Sequence, residues 1–180
     1  MWVSKKEDTM SARPIVLATD GSPSAAEATL EAVELARALD TPLVVVAVEH
    51  APFLFAGTGS YGYAELWTEI RKVEQNRIEH ALEQACAVAD EAGVTCDPVH
   101  ATEGSPVADQ ICKLALARRA QMIVVGAHGW GSVGRVLHGS VSTAVVHEAR
   151  CPVLVVPSAQ FAEQTVDTLD GAVRVREGVS

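Results

Sequence analysis

Met122-Ile123-Val124-Val125-Gly126-Ala127-His128-Gly129, nine further residues, then Gly139-Ser140-Val141-Ser142 is the stretch on which the reading of this chain turns. The apolar run predicts a buried strand, and Gly126 ends it. A glycine-rich loop follows, with Gly129, Gly131 and Gly134. Gly139-Ser140 then opens a predicted helix, Val141 to Ala149. The first turn of a helix has N–H groups without intrahelical partners and carries the positive end of the helix dipole. Behind a strand and a glycine loop it makes an anion site. Glycines let backbone amides approach a phosphate closely, and Ser140 and Ser142 add hydroxyl donors. The stretch contains no Gly-Lys-[Ser/Thr], which excludes a P-loop. The first strand-to-helix turn lacks Gly-x-Gly-x-x-Gly, so it is a poor dinucleotide fingerprint.

Working outward, strands and helices alternate. Ile15 to Thr19 predicts the first strand, and Ser22-Pro23-Ser24 opens a helix running to Leu39. On that helix Glu27, Glu31 and Glu34 fall on one face and Leu30, Val33 and Ala36 on another. Leu43 to Val48 is continuously apolar, as a parallel strand covered on both faces would be. A loop rich in glycine and aromatics spans 51 to 64. A long helix from Glu65 to Ala92 follows, with Gly93 placed to end it. The third strand is Cys96 to Ala101. Ser105-Pro106 starts a third helix, with Val107, Ile111, Leu114 and Ala115 on its apolar face and Arg118-Arg119 in its last turn. The last strand closes at Val156. This β-α-β alternation implies a single α/β domain, an open parallel five-stranded sheet with helices on both faces. Residues 1–12 form a polar extension, 13–158 the domain and 159–180 a mixed polar tail.

Three pieces of this sequence, in order, resemble the universal stress protein family. Gly126, Gly129, Gly139 and Ser140 match the G-x2-G-x9-G-[S/T] motif of its ATP-binding branch. Ile15 to Ser22 resembles the family's first strand ending in Asp-Gly-Ser, and Cys151-Pro152-Val153-Leu154-Val155-Val156-Pro157 its last strand. The resemblance covers about residues 13 to 158. It implies strand order 3-2-1-4-5, the Rossmann-like arrangement of the adenine nucleotide alpha hydrolases. With that order the switch point lies between strands one and four, where ligands of open α/β sheets sit. Asp20 and Gly126 follow those strands, so the two motifs converge on one crevice.

The resemblance implies roles for particular residues. Asp20 would accept hydrogen bonds from ribose hydroxyls, although an Asp-Gly-Ser turn or helix cap explains it as well. Ala18 and Thr19 would line the ribose or adenine side through their backbone, and the backbone of Val48 would read the adenine edge. Gly126 and Gly129 match residues that approach ribose and phosphates. Gly139, Ser140, Val141 and Ser142 match the triphosphate cradle. The implied cofactor is ATP, with Mg2+ held through the phosphates. AMP or a cyclic nucleotide would use the same adenine and ribose contacts. Arg135 and His128 suit either a ligand contact or an ordinary loop position. Phe53, Phe55, Tyr61 and Tyr63 suit either an adenine lid or packing on the body.

No nucleophile and base stand together in the sequence, and no lysine is placed by motif against a γ-phosphate. A regulatory binding module is therefore favoured over a catalyst. A slow ATPase or adenylyl-transfer enzyme is the alternative, and a nucleotide-free interaction protein the third reading. The family pairs its last strand across a two-fold axis, which implies a homodimer through Val153 to Val156. That edge is apolar and would expose an unpaired ladder in a monomer.

Composition bounds these readings. With 180 residues, 48% of them hydrophobic but only 4% aromatic, the core must be built from Val, Leu, Ile and Ala. A net charge of −9, from 14 basic and 23 acidic residues, argues against a nucleic-acid surface. It does not argue against one phosphate chain held by local dipoles. No apolar run approaches the roughly 20 residues of a membrane span, and Met1 to Arg13 lacks an apolar signal core. The expected location is the cytoplasm. Cys86, Cys96, Cys112 and Cys151 form no C-x-x-C pair and are read as buried, reduced thiols. His128, His138 and His147 lack zinc-ligand spacing.

Overall fold

The computed structural model describes residues 13–49, 64–102, 105–129 and 139–157 of the chain. Nine elements alternate along it: β1 (Ile15–Ala18), α1 (Pro23–Ala38), β2 (Leu43–Val48), α2 (Ala64–Glu91), β3 (Cys96–Ala101), α3 (Val107–Ala117), β4 (Met122–Gly126), α4 (Ser140–Glu148) and β5 (Val153–Val156). The strands form a five-stranded sheet in the order β3-β2-β1-β4-β5, and every pairing is parallel. Fold class and strand order are those expected from the sequence. The register sets Ala18 beside Val125, so β1 and β4 deliver their following turns side by side.

Strand periodicity sorts the core into two layers. Ile15, Leu17, Leu43, Val45 and Val124 pack with Ala28, Ala32 and Ala36 of α1 and with Ile78, Leu82, Ala85 and Ala89 of α2. Val16, Val44, Val46, Ile123 and Val125 pack on the other face with Ala108, Ile111 and Ala115 of α3 and Val145 of α4. Ile15, Leu17, Leu43 and Ile123 are fully buried, and each contributes roughly 1.5–3 kcal/mol of transfer free energy. Alanines at four-residue spacing let α1 lie close to the sheet. Leu30 stands on the opposite side of that stripe, 53% exposed, and does not belong to the buried face expected for it. The third helix ends at Ala117 rather than in the Arg118-Arg119 pair; Arg119 takes φ 52°.

The two sheet edges differ. Edge strand β3 carries exposed Asp97 and Pro98, and both oppose the addition of a further strand. Edge strand β5 is Val153-Leu154-Val155-Val156.

The cysteines divide into two classes. Cys86 and Cys96 form a disulfide, with Cα atoms 5.5 Å apart, which overturns the reading of four reduced thiols. The reason is local: α2 ends at Glu91, Gly93 turns the chain at φ 74°, and β3 begins at Cys96 beside the last turns of the helix. Cys112 and Cys151 are free, and burial pushes both thiols above their ordinary pKa. Among the described residues no helix is long and apolar enough to cross a membrane.

Candidate functional site

A crevice of about 400 Å³ opens beyond the carboxyl ends of β1, β2 and β4. It stands where the chain order reverses, because β2 and β3 lie to one side of β1 and β4 and β5 to the other. The residues to which the family resemblance gives nucleotide contacts all line it. Ala18 ends β1, Thr19 and Asp20 form the turn after it, and Val48 ends β2. Gly126 ends β4, Gly129 follows in the loop, and Gly139, Ser140, Val141 and Ser142 open α4 on the far wall.

The turn after β1 is organised by its own side chains. The Thr19 amide donates to the Val46 carbonyl at 2.9 Å, continuing the ladder past the end of the strand. Thr19 Oγ1 accepts from the Gly21 amide at 3.2 Å, and Asp20 Oδ1 accepts from the Ser22 amide at 3.0 Å. One oxygen of Asp20 thus serves the turn. The other faces Gly129, where a Cβ would stand 2.6 Å from Oδ2. Gly21 takes φ 73°, the left-handed region that favours glycine. A Cβ on it would lie 3.2 Å from that of Ala81, so α2 passes directly beside this turn.

The loop after β4 is tied to the start of α1. Ser22 Oγ accepts from the Ala25 amide at 3.2 Å, capping α1, and donates to the His128 carbonyl at 3.3 Å. Ser24 Oγ accepts from the His128 amide at 3.3 Å and lies 3.5 Å from the Val156 carbonyl. A Cβ at Gly126 would come within 2.8 Å of the Ser24 backbone, so only glycine allows this approach. These ties hold the two motifs together.

The start of α4 differs from that of α1. Gly139 is its N-cap, and no side chain caps it. Its first helical bond runs from the Thr143 amide to the Gly139 carbonyl at 3.1 Å. The amides of Ser140, Val141 and Ser142 precede that bond and therefore have no intrahelical acceptor. The Gly139 amide closes the loop on the Ala127 carbonyl at 2.6 Å. Ser142 is buried, and its hydroxyl lies 3.2 Å from the Ala127 carbonyl and 3.0 Å from that of Gly139. Its single proton therefore serves loop closure, and its expected use as a free donor toward the crevice is not seen. Ser140 is exposed at the rim.

The rest of the lining includes the apolar side chains of Val46, Val48, Val107, Ile111 and Val125. The site therefore pairs an apolar slot with a polar wall of turns and helix amides. That arrangement can take a flat apolar group against the one and an anion against the other.

Sequence reasoning missed Ser24, whose side chain joins three segments, and Arg77 of α2, which lines the crevice. Nothing in the local sequence distinguishes Arg77 from the other charges of a 28-residue helix. His128 lines the crevice, whereas His147 lies in the last turn of α4 away from it. Among the described residues no group of three His, Cys, Asp or Glu is placed to hold a metal ion. Gly131, Gly134, Arg135, His138, the aromatics Phe53, Phe55, Tyr61 and Tyr63, and the tail lie outside the described residues.

Comparison with known proteins gives one consistent answer. The profile described as the universal stress protein family matches residues 11–157. A universal stress protein of Methanocaldococcus jannaschii is 35% identical over 145 residues, covering 80% of this chain and 81% of that protein. The structure of universal stress protein UspA from Lactobacillus plantarum superposes with a TM-score of 0.67 at 25% identity, covering 81% of this chain and 99% of the other. A universal stress protein solved in complex with cAMP superposes with a TM-score of 0.59, also at 25% identity, covering 82% and 98%.

Proposed function

The chain belongs to the universal stress protein family, and from that premise we propose that it is a regulatory protein that binds an adenine nucleotide, ATP, in the crevice between β1 and β4. The observation that carries this reading is the uncapped start of α4 facing Asp20 and Gly129 across one cleft. An uncapped helix start is an unsatisfied array of amides that a phosphate completes. The relative solved with cAMP supports an adenine ligand. In this reading the adenine lies in the slot of Val46, Val48, Val107 and Ile111, and the backbone of Val48 reads its edge. Asp20 and the backbone of Ala18 and Thr19 face the ribose. Gly126, Gly129 and Gly139 leave room for the phosphates, which receive the amides of Ser140, Val141 and Ser142. Mg2+ would enter with the phosphates, since among the described residues no group of three His, Cys, Asp or Glu is placed to hold it.

The charged side chains among the described crevice residues are Asp20 and Arg77. Phosphoryl transfer needs an oriented nucleophile as well as positioned cations, and a single carboxylate that also serves a turn supplies no such nucleophile. Binding is therefore the proposed activity, and slow hydrolysis the second reading. The apolar β5 edge, set against the blocked β3 edge, supports a homodimer in which two β5 strands meet across a two-fold axis. A cytoplasmic location goes with this reading and requires the Cys86–Cys96 bond to persist against a reducing thiol pool.

Mass spectrometry of small molecules released from freshly purified protein tests it. Release of ATP is the expected result. Release of AMP or a cyclic nucleotide alone would replace ATP in the account. No nucleotide, and no uptake on incubation with ATP, would overturn it.

A further inference from the structure

Arg77 is the lysine or arginine side chain among the described residues that line the crevice, and the family motif does not include it. Its place follows from helix geometry. Ala81 of α2 stands against Gly21, where an added Cβ would lie 3.2 Å from its own. Arg77 is one helical turn before Ala81 on the same face. Because α2 covers the layer of α1 rather than that of α3, Arg77 enters over the Asp20–Gly21 turn, away from the slot of Val107 and Ile111. Asp20 in turn faces Gly129. Arg77 therefore lines the crevice from the α1–α2 side of the sheet, on the face opposite α4.

The bonds Arg77 makes leave capacity for a ligand. Nη2 donates to Glu74 Oε1 at 2.5 Å, one turn earlier on α2. Nε is buried and has no acceptor among the described residues. A guanidinium carries five N–H donors, and the pair with Glu74 takes only part of that set. Glu74 is 19% exposed and Arg77 39%, so the pair is partly withdrawn from water rather than a fully solvated surface pair. Such a group aimed at a site for a multiply charged anion has one chemical use above others, the charge-assisted hydrogen bond to phosphate.

We propose that Arg77 is a phosphate-binding residue of this crevice, supplying from α2 the positive charge that faces the amides of α4, so that affinity rises with the number of phosphates on the adenine ligand. The proposal rests on the nucleotide reading above. It makes α2 part of the site and makes the phosphate chain, rather than the base, the part of the ligand that Arg77 recognises. Glu74 positions the guanidinium.

Calorimetric titration with ATP, AMP and adenosine, on wild type, Arg77→Gln and Arg77→Lys, tests it. The loss of one charge-assisted contact corresponds to roughly a ten- to hundredfold weakening. Arg77→Gln should weaken ATP by about tenfold or more, AMP less, and adenosine not at all. Arg77→Lys, which keeps charge without the planar fork, should recover part of the ATP affinity. An ATP affinity for Arg77→Gln within twofold of wild type would overturn the proposal while leaving the nucleotide reading intact. Equal losses for ATP and adenosine would overturn it too, since they would mark a purely structural role. A wild type that takes up none of the three ligands would overturn both readings.

Discussion

Ser22 and His128, 106 residues apart in the chain, are joined where the two halves of the crevice meet: Ser22 Oγ donates to the His128 carbonyl at 3.3 Å. The same oxygen accepts from the Ala25 amide and caps α1. One buried hydroxyl thus starts a helix and fixes a loop.

Ser22→Ala should remove both functions. Loss of an N-cap costs about 0.5–2 kcal/mol, and a carbonyl left without its donor adds about 1 kcal/mol or more. The expected loss is about 2 kcal/mol, which for a domain of this size lowers Tm by roughly 4–8 °C. Calorimetric melting of the variant checks this, and an unchanged Tm would show that the tie is not stabilising. Nucleotide affinity should also fall, because the loop carrying Gly129 loses its anchor.

Much of this site is legible in the sequence, for a physical reason. Valine-rich runs such as Leu43 to Val48 can only be strands covered on both faces, and glycines at 126, 129 and 139 mark places where a side chain would meet backbone or carboxylate. What is not legible depends on distance in space. Ser24 reads as a helix-start serine, and only the fold brings Val156 and His128 to it. Arg77 reads as a solvated helix charge, and only the packing of Ala81 on Gly21 aims it at the crevice. Leu30 shows the converse: its hydrophobicity suggested a buried face that the alanine stripe of α1 took instead.

The cysteine chemistry should separate cleanly. Native protein kept from reductant should show two titratable thiols, and four after unfolding and reduction, because Cys86 and Cys96 are bonded and Cys112 and Cys151 are free. Burial raises the pKa of both free thiols, which lowers their thiolate fraction at neutral pH. Alkylation at pH 7.5 should therefore be slower than for an exposed cysteine, and should accelerate as pH rises past the ordinary thiol range. Four fast-reacting thiols in the native state would contradict both assignments. The ten-residue separation places the stabilisation from the disulfide on the order of 2–3 kcal/mol, so Cys86→Ser should melt measurably earlier than wild type under non-reducing conditions.

The edge asymmetry of the sheet makes a claim about assembly. Sedimentation of the wild type should give a dimer, and glutamates at Val153 and Val155 should give a monomer. Both valines also pack in part against the α3 and α4 layer, so the variant's circular dichroism must match wild type for the comparison to count. A monomeric wild type would rule out the β5 dimer.

The most direct measurement is calorimetric titration of ATP into wild type and Gly139→Asp. Gly139 has φ −67° and ψ 157°, a conformation any residue adopts, and aspartate is a favourable N-cap. An added Cβ lies 3.1 Å from the Ala127 carbonyl, so that carbonyl must shift by a few tenths of an ångström, and the variant's circular dichroism must match wild type for the comparison to count. The substitution therefore keeps the helix while placing a carboxylate where the account puts phosphate. Saturable ATP binding by wild type, weakened at least tenfold in a folded Gly139→Asp, is the predicted result. ATP binding of equal strength in both proteins would contradict the claim that the start of α4 holds the phosphates.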